Sequence, residues 1–347
     1  MTSILRIALP VPVNHYFDYL PPTDFPCDQL RKGLRVLVPF GKREKIGFLM
    51  EVSKTSCLPR SQLKMAFTIL DEVPLLPDTL WRLLEWTSRY YHYPLGEVIS
   101  NALPPLFKKQ KKRKLFKTNK TLTQEINNTI ISASNISLNT HQQAAVDTII
   151  QSLGQFKSFL LYGVTGSGKT EVYLETTAAV LQRKEQILVL LPEIGLMPQM
   201  LARFQKRFSV PLVLFHSGLT DKQRLERWGL VKTGQTSIVI GTRSALFTPL
   251  CHPGLIIIDE EHDSSFKQQK GLRYHARDLA LMRAKIENIP IILGSATASL
   301  ESMANAKQQR YHFLSLPNRA GQANQPMLRF IDLRGQKLEK GFSSTLL

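Results

Sequence analysis

Residues 159–170 read FLLYGVTGSGKT, an apolar run that leads into the phosphate-loop pattern G-x-x-x-x-G-K-[ST]. A stretch of helical character, residues 171–183, follows directly. In this context the backbone N–H groups of the loop wrap phosphate oxygens at the start of a helix. Lys169 should then reach the β- and γ-phosphates of ATP, and the Thr170 hydroxyl should coordinate Mg²⁺. The predicted nucleotide-binding residues are Gly163, Val164, Thr165, Gly166, Ser167, Gly168, Lys169 and Thr170.

Apolar runs alternate with helical stretches throughout the region that follows Leu138. The predicted strands are Phe159 to Tyr162, Ile187 to Leu191, Leu212 to Phe215, Ser237 to Ile240, Leu255 to Ile258 and Ile291 to Leu293. Such alternation indicates a parallel sheet that is covered by helices. Residues that follow these strands should therefore gather at the carboxyl edge of the sheet, beside the phosphate loop.

Acidic residues follow one of these strands directly, in Asp259-Glu260-Glu261-His262. We predict that Asp259 holds the Mg²⁺ and that Glu260 orients and deprotonates the attacking water. Together with Lys169 they form the predicted catalytic set. The alternative is an acidic cap at a strand end, which the nearby phosphate loop makes the weaker interpretation.

Two hydroxyl side chains follow another predicted strand, in Gly294-Ser295-Ala296-Thr297. They are placed to couple the state of the γ-phosphate to other parts of the protein, although a buried turn explains the same residues equally well. The order of the three motifs along the chain is that of a superfamily 2 helicase. The predicted fold class is therefore α/β, with a RecA-like P-loop parallel-sheet helicase lobe at residues 138–320.

The composition favours a polyanionic partner. Lys and Arg number 45 against 27 Asp and Glu, a formal net charge of +18 that suits phosphate neutralisation, although charge alone leaves open a basic protein without such a partner. Cys27, Cys57 and Cys251 form no C-x-x-C pair, so neither a disulfide framework nor a zinc site is predicted. No apolar stretch is long enough for a membrane span, and no export signal is present, so a cytoplasmic location is expected.

The first 107 residues have a different pattern of apolar runs. Short β-rich runs broken by Pro and Gly indicate a small sheet or barrel, and helical spacing follows. These runs are Leu5 to Leu9, Gly33 to Phe40 and Gly47 to Val52. Residues 108–120 read KKQKKRKLFKTNK without an acidic residue, so residues 108–137 are predicted to be a basic linker that either contacts DNA or is simply solvated.

Longer strings resemble the PriA family of bacterial primosomal replication-restart helicases. They are Gly163-Val-Thr-Gly-Ser-Gly-Lys-Thr-Glu-Val-Tyr173, Pro192-Glu-Ile-Gly-Leu196, His216-Ser-Gly-Leu219, Gly241-Thr-Arg-Ser-Ala-Leu-Phe-Thr-Pro249, Asp259-Glu-Glu-His-Asp-Ser-Ser265, Arg273-Tyr-His-Ala-Arg-Asp278 and, nearer the N-terminus, Leu9-Pro-Val-Pro12, Phe17-Asp-Tyr-Leu20 and Val38-Pro-Phe-Gly41. The resemblance implies an ATP-dependent 3′-to-5′ DNA helicase of replication restart that recognises stalled forks and initiates primosome assembly. It implies as partners forked DNA, single-stranded DNA, DNA 3′ ends, primosome proteins and single-stranded DNA-binding protein, in a bacterial cytoplasm with nucleoid association.

The resemblance also assigns roles outside the phosphate loop. Gln142 resembles the glutamine that reads adenine, with an exposed glutamine at a helix start as the alternative. Arg243 and Ser244, together with the loop at residues 192–195, resemble segments that touch the DNA backbone without reading its sequence.

An aromatic-rich loop of the same family corresponds to residues 264–277. In this loop Phe266 and Tyr274 are expected to stack on bases, while Lys267 and Arg273 are expected to meet phosphates. Packing of the two rings in the protein core is the alternative. Leu272 stands where an aromatic residue is expected.

In the N-terminal region, which the resemblance identifies as a DNA-binding domain at residues 1–107, four residues align with the family's site for the 3′-terminal nucleotide: Phe17, Asp18, Gly41 and Lys64. Phe17 would stack on the base, Asp18 would accept a hydrogen bond from the free 3′-hydroxyl, and Lys64 would neutralise a phosphate. From the sequence without the resemblance, Phe17 is a core residue and Lys64 a surface residue.

Three parts of the family pattern have no counterpart in the sequence. A winged helix does not fit into residues 108–137, and residues 321–347 are expected to be only the start of a connection to a second helicase lobe. The zinc that is expected for the full-length family finds no cysteine cluster here. We therefore expect the chain to bind ATP, to hydrolyse it slowly and to unwind nothing alone, since the second lobe supplies an arginine finger. The alternatives are a non-unwinding DNA 3′-end-binding module with an ATP-binding switch, and another P-loop translocase.

Overall fold

The computed structural model describes residues 3–109, 130–131, 137–320, 330–335, 338–339 and 341–343, with the backbone alone at 130–131 and 338–339. Most of the predicted linker, residues 108–137, and most of the predicted connection, residues 321–347, lie outside the described residues. The interpretation of these two segments stays a prediction.

Five antiparallel strands form the N-terminal sheet, in the spatial order β2-β1-β4-β3-β5. They are β1 Ile4–Ala8, β2 Phe17–Tyr19, β3 Arg35–Phe40, β4 Arg43–Ser53 and β5 Thr68–Ile69. Leu5, Ile7 and Leu49 pack together on one face, whereas Phe48 and Met50 belong to the apolar cluster on the other face, as the alternation of side chains along a strand requires. Leu20, which follows β2, donates a backbone hydrogen bond of 2.9 Å to Lys64 and accepts one of 2.9 Å from Ala66, just before β5. The two ends of the sheet are thereby joined, as in a small barrel, one of the two forms predicted.

Two helices complete the N-terminal domain, α1 at Asp78–Tyr90 and α2 at Leu95–Ala102. Each begins directly after a proline, Pro77 or Pro94, whose restricted φ suits entry into a helix. The domain ends in a short 3₁₀ turn at Pro105–Lys108, close to the predicted boundary at residue 107.

A seven-stranded parallel sheet forms the second domain, in the order β10-β11-β8-β12-β13-β7-β14. Its strands are β7 Ser158–Gly163, β8 Gln186–Leu190, β10 Leu212–Phe215, β11 Ile238–Gly241, β12 Pro253–Ile258, β13 Ile291–Ser295 and β14 His312–Leu316. The helices are α3 Thr140–Ile150, α4 Lys169–Gln182, α5 Met197–Arg207, α6 Asp221–Lys232, α7 Ala276–Glu287 and α8 Leu300–Lys307. The predicted α/β class with a parallel helicase-type sheet is confirmed.

Short antiparallel pairs lie outside the two main sheets. They are β6 Ile130–Ile131 with β9 Phe208–Ser209, and β15 Leu338–Glu339 with β16 Phe342–Ser343.

All six predicted strands of the parallel sheet are present, and β14 is an addition that was not predicted. Its side chains are mostly exposed, because β14 lies at the edge of the sheet beside β7.

The two domains are held together by packed helices. Helix α1 contacts α7, and their buried leucines and alanines belong to one apolar cluster. The Phe107 ring packs edge-on against Trp228 of α6, with ring centres 5.1 Å apart, and Lys232 of α6 donates a hydrogen bond of 3.0 Å to the Pro74 carbonyl. The N-terminal domain is therefore docked on the same side of the parallel sheet as α6 and α7.

A buried ion pair anchors this junction. The Arg35 Nη2 lies 2.6 Å from Asp71 Oδ1, and the two side chains are 0% and 4% exposed. Arg35 Nη1 also donates a hydrogen bond of 2.8 Å to the Phe107 carbonyl, and its guanidinium lies 4.9 Å from the centre of the Phe107 ring. Arg35 thus connects the N-terminal sheet to the residue that contacts Trp228.

We predict that Arg35→Ala destabilises the protein by about 3–5 kcal/mol, because the substitution leaves the Asp71 carboxylate buried without its cation. Urea unfolding followed by tryptophan fluorescence measures the change. Arg43→Ala, at an exposed arginine of β4, is the matched control and should stay within about 0.5 kcal/mol of the wild type. Equal stability of the two variants would contradict the anchoring role.

Candidate nucleotide site and DNA-binding surfaces

The phosphate loop connects β7 to α4 with backbone geometry that requires glycine. Gly166 and Gly168 adopt left-handed conformations, with φ of 79° and 82°. Lys169 begins α4, and its Nζ donates a hydrogen bond of 3.0 Å to the Gly163 carbonyl across the loop. Among the described residues the buried Ser167 hydroxyl has no hydrogen-bond partner. A buried orphan hydroxyl beside an exposed loop backbone fits a phosphate ligand.

All eight predicted loop residues lie together at the carboxyl end of β7. Val164, Thr165 and Gly166 are exposed, whereas Lys169 and Thr170 are half-buried at the start of α4. The Lys169 ammonium group, which was assigned to phosphate, and the Thr170 hydroxyl, which was assigned to Mg²⁺, therefore lie beside the exposed backbone. Their roles remain predictions.

Gln142 braces this loop. Its Nε2 donates a hydrogen bond of 2.8 Å to the Ser167 carbonyl, and its Oε1 accepts one of 2.9 Å from the backbone N–H of Asn139. A side chain at Gly168 would lie 2.2 Å from Gln142 Nε2, so the glycine is needed for this contact. Gln142 is 3% exposed, which contradicts the alternative of an exposed glutamine at a helix start. Its reading of adenine stays a prediction.

Asp259 follows β12 and meets a buried tyrosine. Its Oδ1 accepts a hydrogen bond of 2.9 Å from the hydroxyl of Tyr173 on α4. The pKa of Asp259 is raised above its ordinary value, because burial and the neighbouring Glu260 outweigh the opposite effect of Tyr173 and Lys169. A side chain at Gly294 would come within 1.6 Å of the Tyr173 hydroxyl, so this glycine makes room for the tyrosine. The sequence motif contains Tyr173, but nothing in the pattern indicates its contact with Asp259.

Glu260 has an unusual backbone conformation, with φ of 50° in the left-handed region. Such strain is uncommon for a residue other than glycine and is concentrated at functional sites. Its Oε2 lies 3.6 Å from Nδ1 of His262, and the carboxylate is partly exposed. Glu260 is therefore accessible to solvent at the same sheet edge as the phosphate loop.

His262 joins the acidic motif to the Ser-Ala-Thr motif. Its Nδ1 lies 2.8 Å from the Ser295 Oγ, and its Nε2 lies 3.2 Å from the Thr297 Oγ1. The Ser295 hydroxyl also accepts a hydrogen bond of 3.0 Å from the Thr297 backbone N–H. The two hydroxyls that were singled out from the sequence thus both contact the motif that holds Asp259 and Glu260.

Glu261 was given no role from the sequence, yet its carboxylate is completely buried and fully paired. It lies 3.0 Å from Arg277 Nη1, and it accepts hydrogen bonds from the Ser299 backbone N–H at 2.7 Å and from the Ser302 hydroxyl at 2.8 Å. Its own backbone N–H donates to the Gly294 carbonyl at 3.0 Å. Glu261 connects the acidic loop to the start of α7 and the start of α8.

The loops that were assigned to the DNA backbone line one cavity of about 660 Å³. Arg243 Nη1 donates a hydrogen bond of 2.6 Å to the Ser265 carbonyl, and the Ser265 hydroxyl donates one of 2.8 Å to the Pro192 carbonyl. The exposed Ser244 lies on the same wall. The structure therefore brings together three segments that are distant in sequence, and their contact with DNA stays a prediction.

The two aromatic rings of residues 264–277 are buried. The prediction that bases stack on them is therefore corrected. Phe266 is 0% exposed and Tyr274 is 7% exposed, with the Tyr274 ring edge-on to Phe247 at 5.5 Å. Burial raises the pKa of Tyr274. Lys267 and Arg273 are exposed and remain able to meet phosphates. Core packing, the alternative that the sequence left open, is what the structure shows for the rings.

The four residues assigned to a DNA 3′ end line a separate cavity of about 660 Å³ in the N-terminal domain, called the 3′-end cavity below. Phe17 packs edge-on against Phe40 with ring centres 5.4 Å apart, and Gly41 turns between β3 and β4 with φ of 60°. The Asp18 Oδ1 lies 3.6 Å from Arg6 Nε, a contact that the sequence did not suggest. Lys64 is exposed at the same cavity. Their binding of a nucleotide stays a prediction.

Comparisons with known proteins match both domains. Residues 6–104 match the family described as the PriA 3′DNA-binding domain (3′BD), and residues 139–306 match the DEAD/DEAH box helicase family. The replication restart protein PriA of Haemophilus influenzae is 38% identical over 412 aligned positions, which cover 99% of this chain and 56% of that protein. That of Rickettsia conorii is 35% identical over 340 positions, which cover 97% and 49%. The chain therefore spans about half the length of these curated relatives.

Among solved structures, that of RecG bound to a three-way DNA junction aligns with 71% of this chain and 30% of that chain, at 18% identity and a TM-score of 0.41. Within the described ranges no helix is long and apolar enough to cross a membrane. In the same part of the chain, no group of three or more His, Cys, Asp and Glu residues is placed to hold a metal ion.

We predict that Tyr173→Phe weakens Mg²⁺-dependent binding of a fluorescent ATP analogue about threefold to tenfold at acidic pH and much less at alkaline pH. The Tyr173 hydroxyl stabilises the charged form of Asp259, so its loss raises the pKa of Asp259 further and protonates the carboxylate at a higher pH. Binding titrations at several pH values measure this. Tyr162→Phe, at a residue that lies at the end of β7, is the control, and an identical pH profile of both variants would contradict the role of Tyr173.

Proposed function

The chain belongs to the PriA family of replication restart proteins, and on that premise we propose that it supplies the ATP-binding lobe and the DNA 3′-end site of a 3′-to-5′ helicase. In this proposal the helicase recognises stalled replication forks and initiates primosome assembly. The observation that carries it is that one docked body holds both the cavity lined by Phe17, Asp18 and Lys64 and the three motifs of a first helicase lobe. Primosome proteins and single-stranded DNA-binding protein are the proposed partners, at the bacterial nucleoid.

The residues of the phosphate loop and the sheet edge fit ATP with Mg²⁺. Gly163–Thr170 offer backbone donors, and Lys169 offers a cation for the terminal phosphates. Thr170 and Asp259 supply a hydroxyl and a carboxylate, the oxygen ligands that Mg²⁺ prefers. Bound ATP supplies the free energy for movement along DNA. The orphan Ser167 hydroxyl inside the loop supports this assignment.

Glu260 is the proposed base for water. It is the partly exposed carboxylate at the sheet edge, whereas Asp259 is engaged by Tyr173 and Glu261 by Arg277. The three adjacent acids thus have different partners, which supports the proposal of different roles for them. His262, which lies between Glu260 and the two hydroxyls of the Ser-Ala-Thr motif, is positioned to relay a change at the phosphate edge.

The N-terminal cavity is proposed to hold the last nucleotide of a nascent strand. Asp18 would accept a hydrogen bond from the free 3′-hydroxyl, and Arg6 Nε lies 3.6 Å from the same carboxylate. Phe17 offers an aromatic surface for the base, and Lys64 offers a charge for phosphate. On the helicase lobe, Arg243, Lys267 and Arg273 are proposed to hold the DNA backbone.

A second candidate is a DNA 3′-end-binding module that uses its ATP site as a switch and unwinds nothing. In its favour, the 3′-end cavity is lined by residues of the N-terminal domain alone. The basic linker is proposed to supply nonspecific attraction to DNA in place of a winged helix.

We predict that Lys169→Ala weakens binding of an ATP analogue at least about tenfold, because the charge facing the terminal phosphates is lost. Equilibrium titration measures the affinity, and Lys206→Ala, at an exposed lysine of α5, is the matched control. The steady-state ATPase rate, with and without forked DNA that bears a free 3′ end, separates the two candidates. Strong stimulation that depends on Lys169 favours a motor, and binding without turnover favours the switch. Equal binding by both lysine variants would contradict the nucleotide site.

We predict that Asp18→Ala removes the preference for a DNA end with a free 3′-hydroxyl over an end with a 3′-phosphate, because the acceptor for the hydroxyl proton is gone. Fluorescence anisotropy with two oligonucleotides that differ only at this group measures the preference. Asp24→Ala, at an exposed acid outside the cavity, controls for the general effect of removing a negative charge. An unchanged preference in Asp18→Ala would contradict the assignment.

A further inference from the structure

A second cavity, of about 560 Å³, adjoins the 3′-end cavity and has no role in the function proposed so far. It lies between the segment that precedes β2 and the exposed side of α1. Two consecutive residues, His15 and Tyr16, line both cavities. Because these two residues line both cavities, the cavities lie side by side. A ligand that fills the first cavity can therefore extend past His15 and Tyr16 into the second without crossing the protein core.

The walls of the second cavity combine aromatic, basic and hydrogen-bonding groups. Tyr16 is 46% exposed, which leaves a ring face available for stacking. Arg89 of α1 is exposed at the opposite side. Asn14 and Ser88 add polar atoms on the remaining walls. This is the mixture of aromatic platform and cation that single-stranded nucleic acid requires.

Charge in the cavity favours a phosphate. The single acid on its wall, Glu85, forms an ion pair with Lys32. Arg89 is left as the excess charge, so the local balance is positive. Burial and then the Glu85 carboxylate raise the pKa of Tyr16, a residue that lines the cavity.

Aromatic side chains in contact lead from the 3′-end cavity to the wall that the two cavities share. Phe40 contacts Phe17 at 5.4 Å between ring centres, and Phe17 contacts His15 at 4.6 Å. Tyr16 follows in sequence and opens into the second cavity. Successive bases of one strand could stack along such a series, because every base has an aromatic face.

We propose that the second cavity binds the nucleotide that precedes the 3′-terminal nucleotide of the same strand. The base of this preceding nucleotide lies on Tyr16, and its 5′-phosphate lies near Arg89. The inference rests on the proposed 3′-end function and extends it from one nucleotide to two. It explains why the two cavities share a wall of two ring-bearing residues. A peptide or an unrelated small anion in this cavity would not depend on the length of a bound strand.

A length series of oligothymidylates with free 3′-hydroxyls tests the proposal on the full chain. Dissociation constants of thymidine 5′-monophosphate and of the 5′-phosphorylated dinucleotide are measured by displacement of a labelled oligonucleotide. The dinucleotide should bind about tenfold more tightly to the wild type, the gain expected from one further stacked base. Arg89→Ala and Tyr16→Ala should reduce this gain to about twofold.

Two further variants keep the result interpretable. Tyr16→Phe retains the ring and should retain the gain, which separates stacking from misfolding. Arg82→Ala removes an exposed arginine of α1 that does not line either cavity, and should behave as the wild type. Binding of the mononucleotide should be unchanged in Arg89→Ala, because Arg89 does not line the 3′-end cavity.

The outcomes separate this inference from the function on which it rests. An equal affinity of the wild type for both ligands, or a full gain in both Arg89→Ala and Tyr16→Ala, overturns the second nucleotide site. The preference for a 3′-hydroxyl over a 3′-phosphate dinucleotide reports on the 3′-end function. If that preference is absent while the gain still depends on Arg89, the proposed end recognition fails and the second site is supported as a nucleotide site.

Discussion

The buried carboxylate of Glu261 is the constraint on which the arrangement of the helicase motifs depends. A fully buried charge is tolerated only where a counter-charge and hydrogen bonds satisfy it. Arg277, Ser299 and Ser302 satisfy this one, and they lie on α7 and at the start of α8. The acidic loop is thereby held in a conformation in which Glu260 takes a left-handed backbone and stays partly exposed. The three consecutive acids therefore have different partners: Tyr173 for Asp259, His262 for Glu260 and Arg277 for Glu261.

The same constraint reaches the interface between the domains. Arg277 stands two residues beyond His275, whose backbone N–H donates a hydrogen bond of 3.2 Å to the hydroxyl oxygen of Tyr91 at the end of α1. Burial raises the pKa of Tyr91 to about 12, so its hydroxyl stays neutral. A contiguous set of contacts therefore runs from the N-terminal domain to the acidic loop. Arg35 and Phe107 hold the other side of the interface, so that the 3′-end cavity and the phosphate loop occupy one body.

The strands of the parallel sheet were predictable because a strand that is buried on both faces is an uninterrupted apolar run. The residues of β8 are buried along its whole length, and its bounds differ from the prediction by one residue at each end. The edge strand β14 was missed because most of its side chains are exposed and His312 and Ser315 break the apolar run. Phe266 and Tyr274 show the opposite difficulty, since an aromatic residue in a basic loop has the same composition whether it stacks on a base or packs in the core.

The sequence by itself determined the phosphate loop, the order of the helicase motifs, the basic charge and, through the family resemblance, the four residues of the 3′-end cavity. These features are local, because a left-handed glycine, a strand period or a helix start depends on a few neighbouring residues. Only the tertiary structure decided that Tyr173 meets Asp259, that Gln142 braces the phosphate loop and that Glu261 pairs with Arg277. Such contacts join residues on different elements, and they depend on how whole helices pack on the sheet, which no short-range pattern encodes.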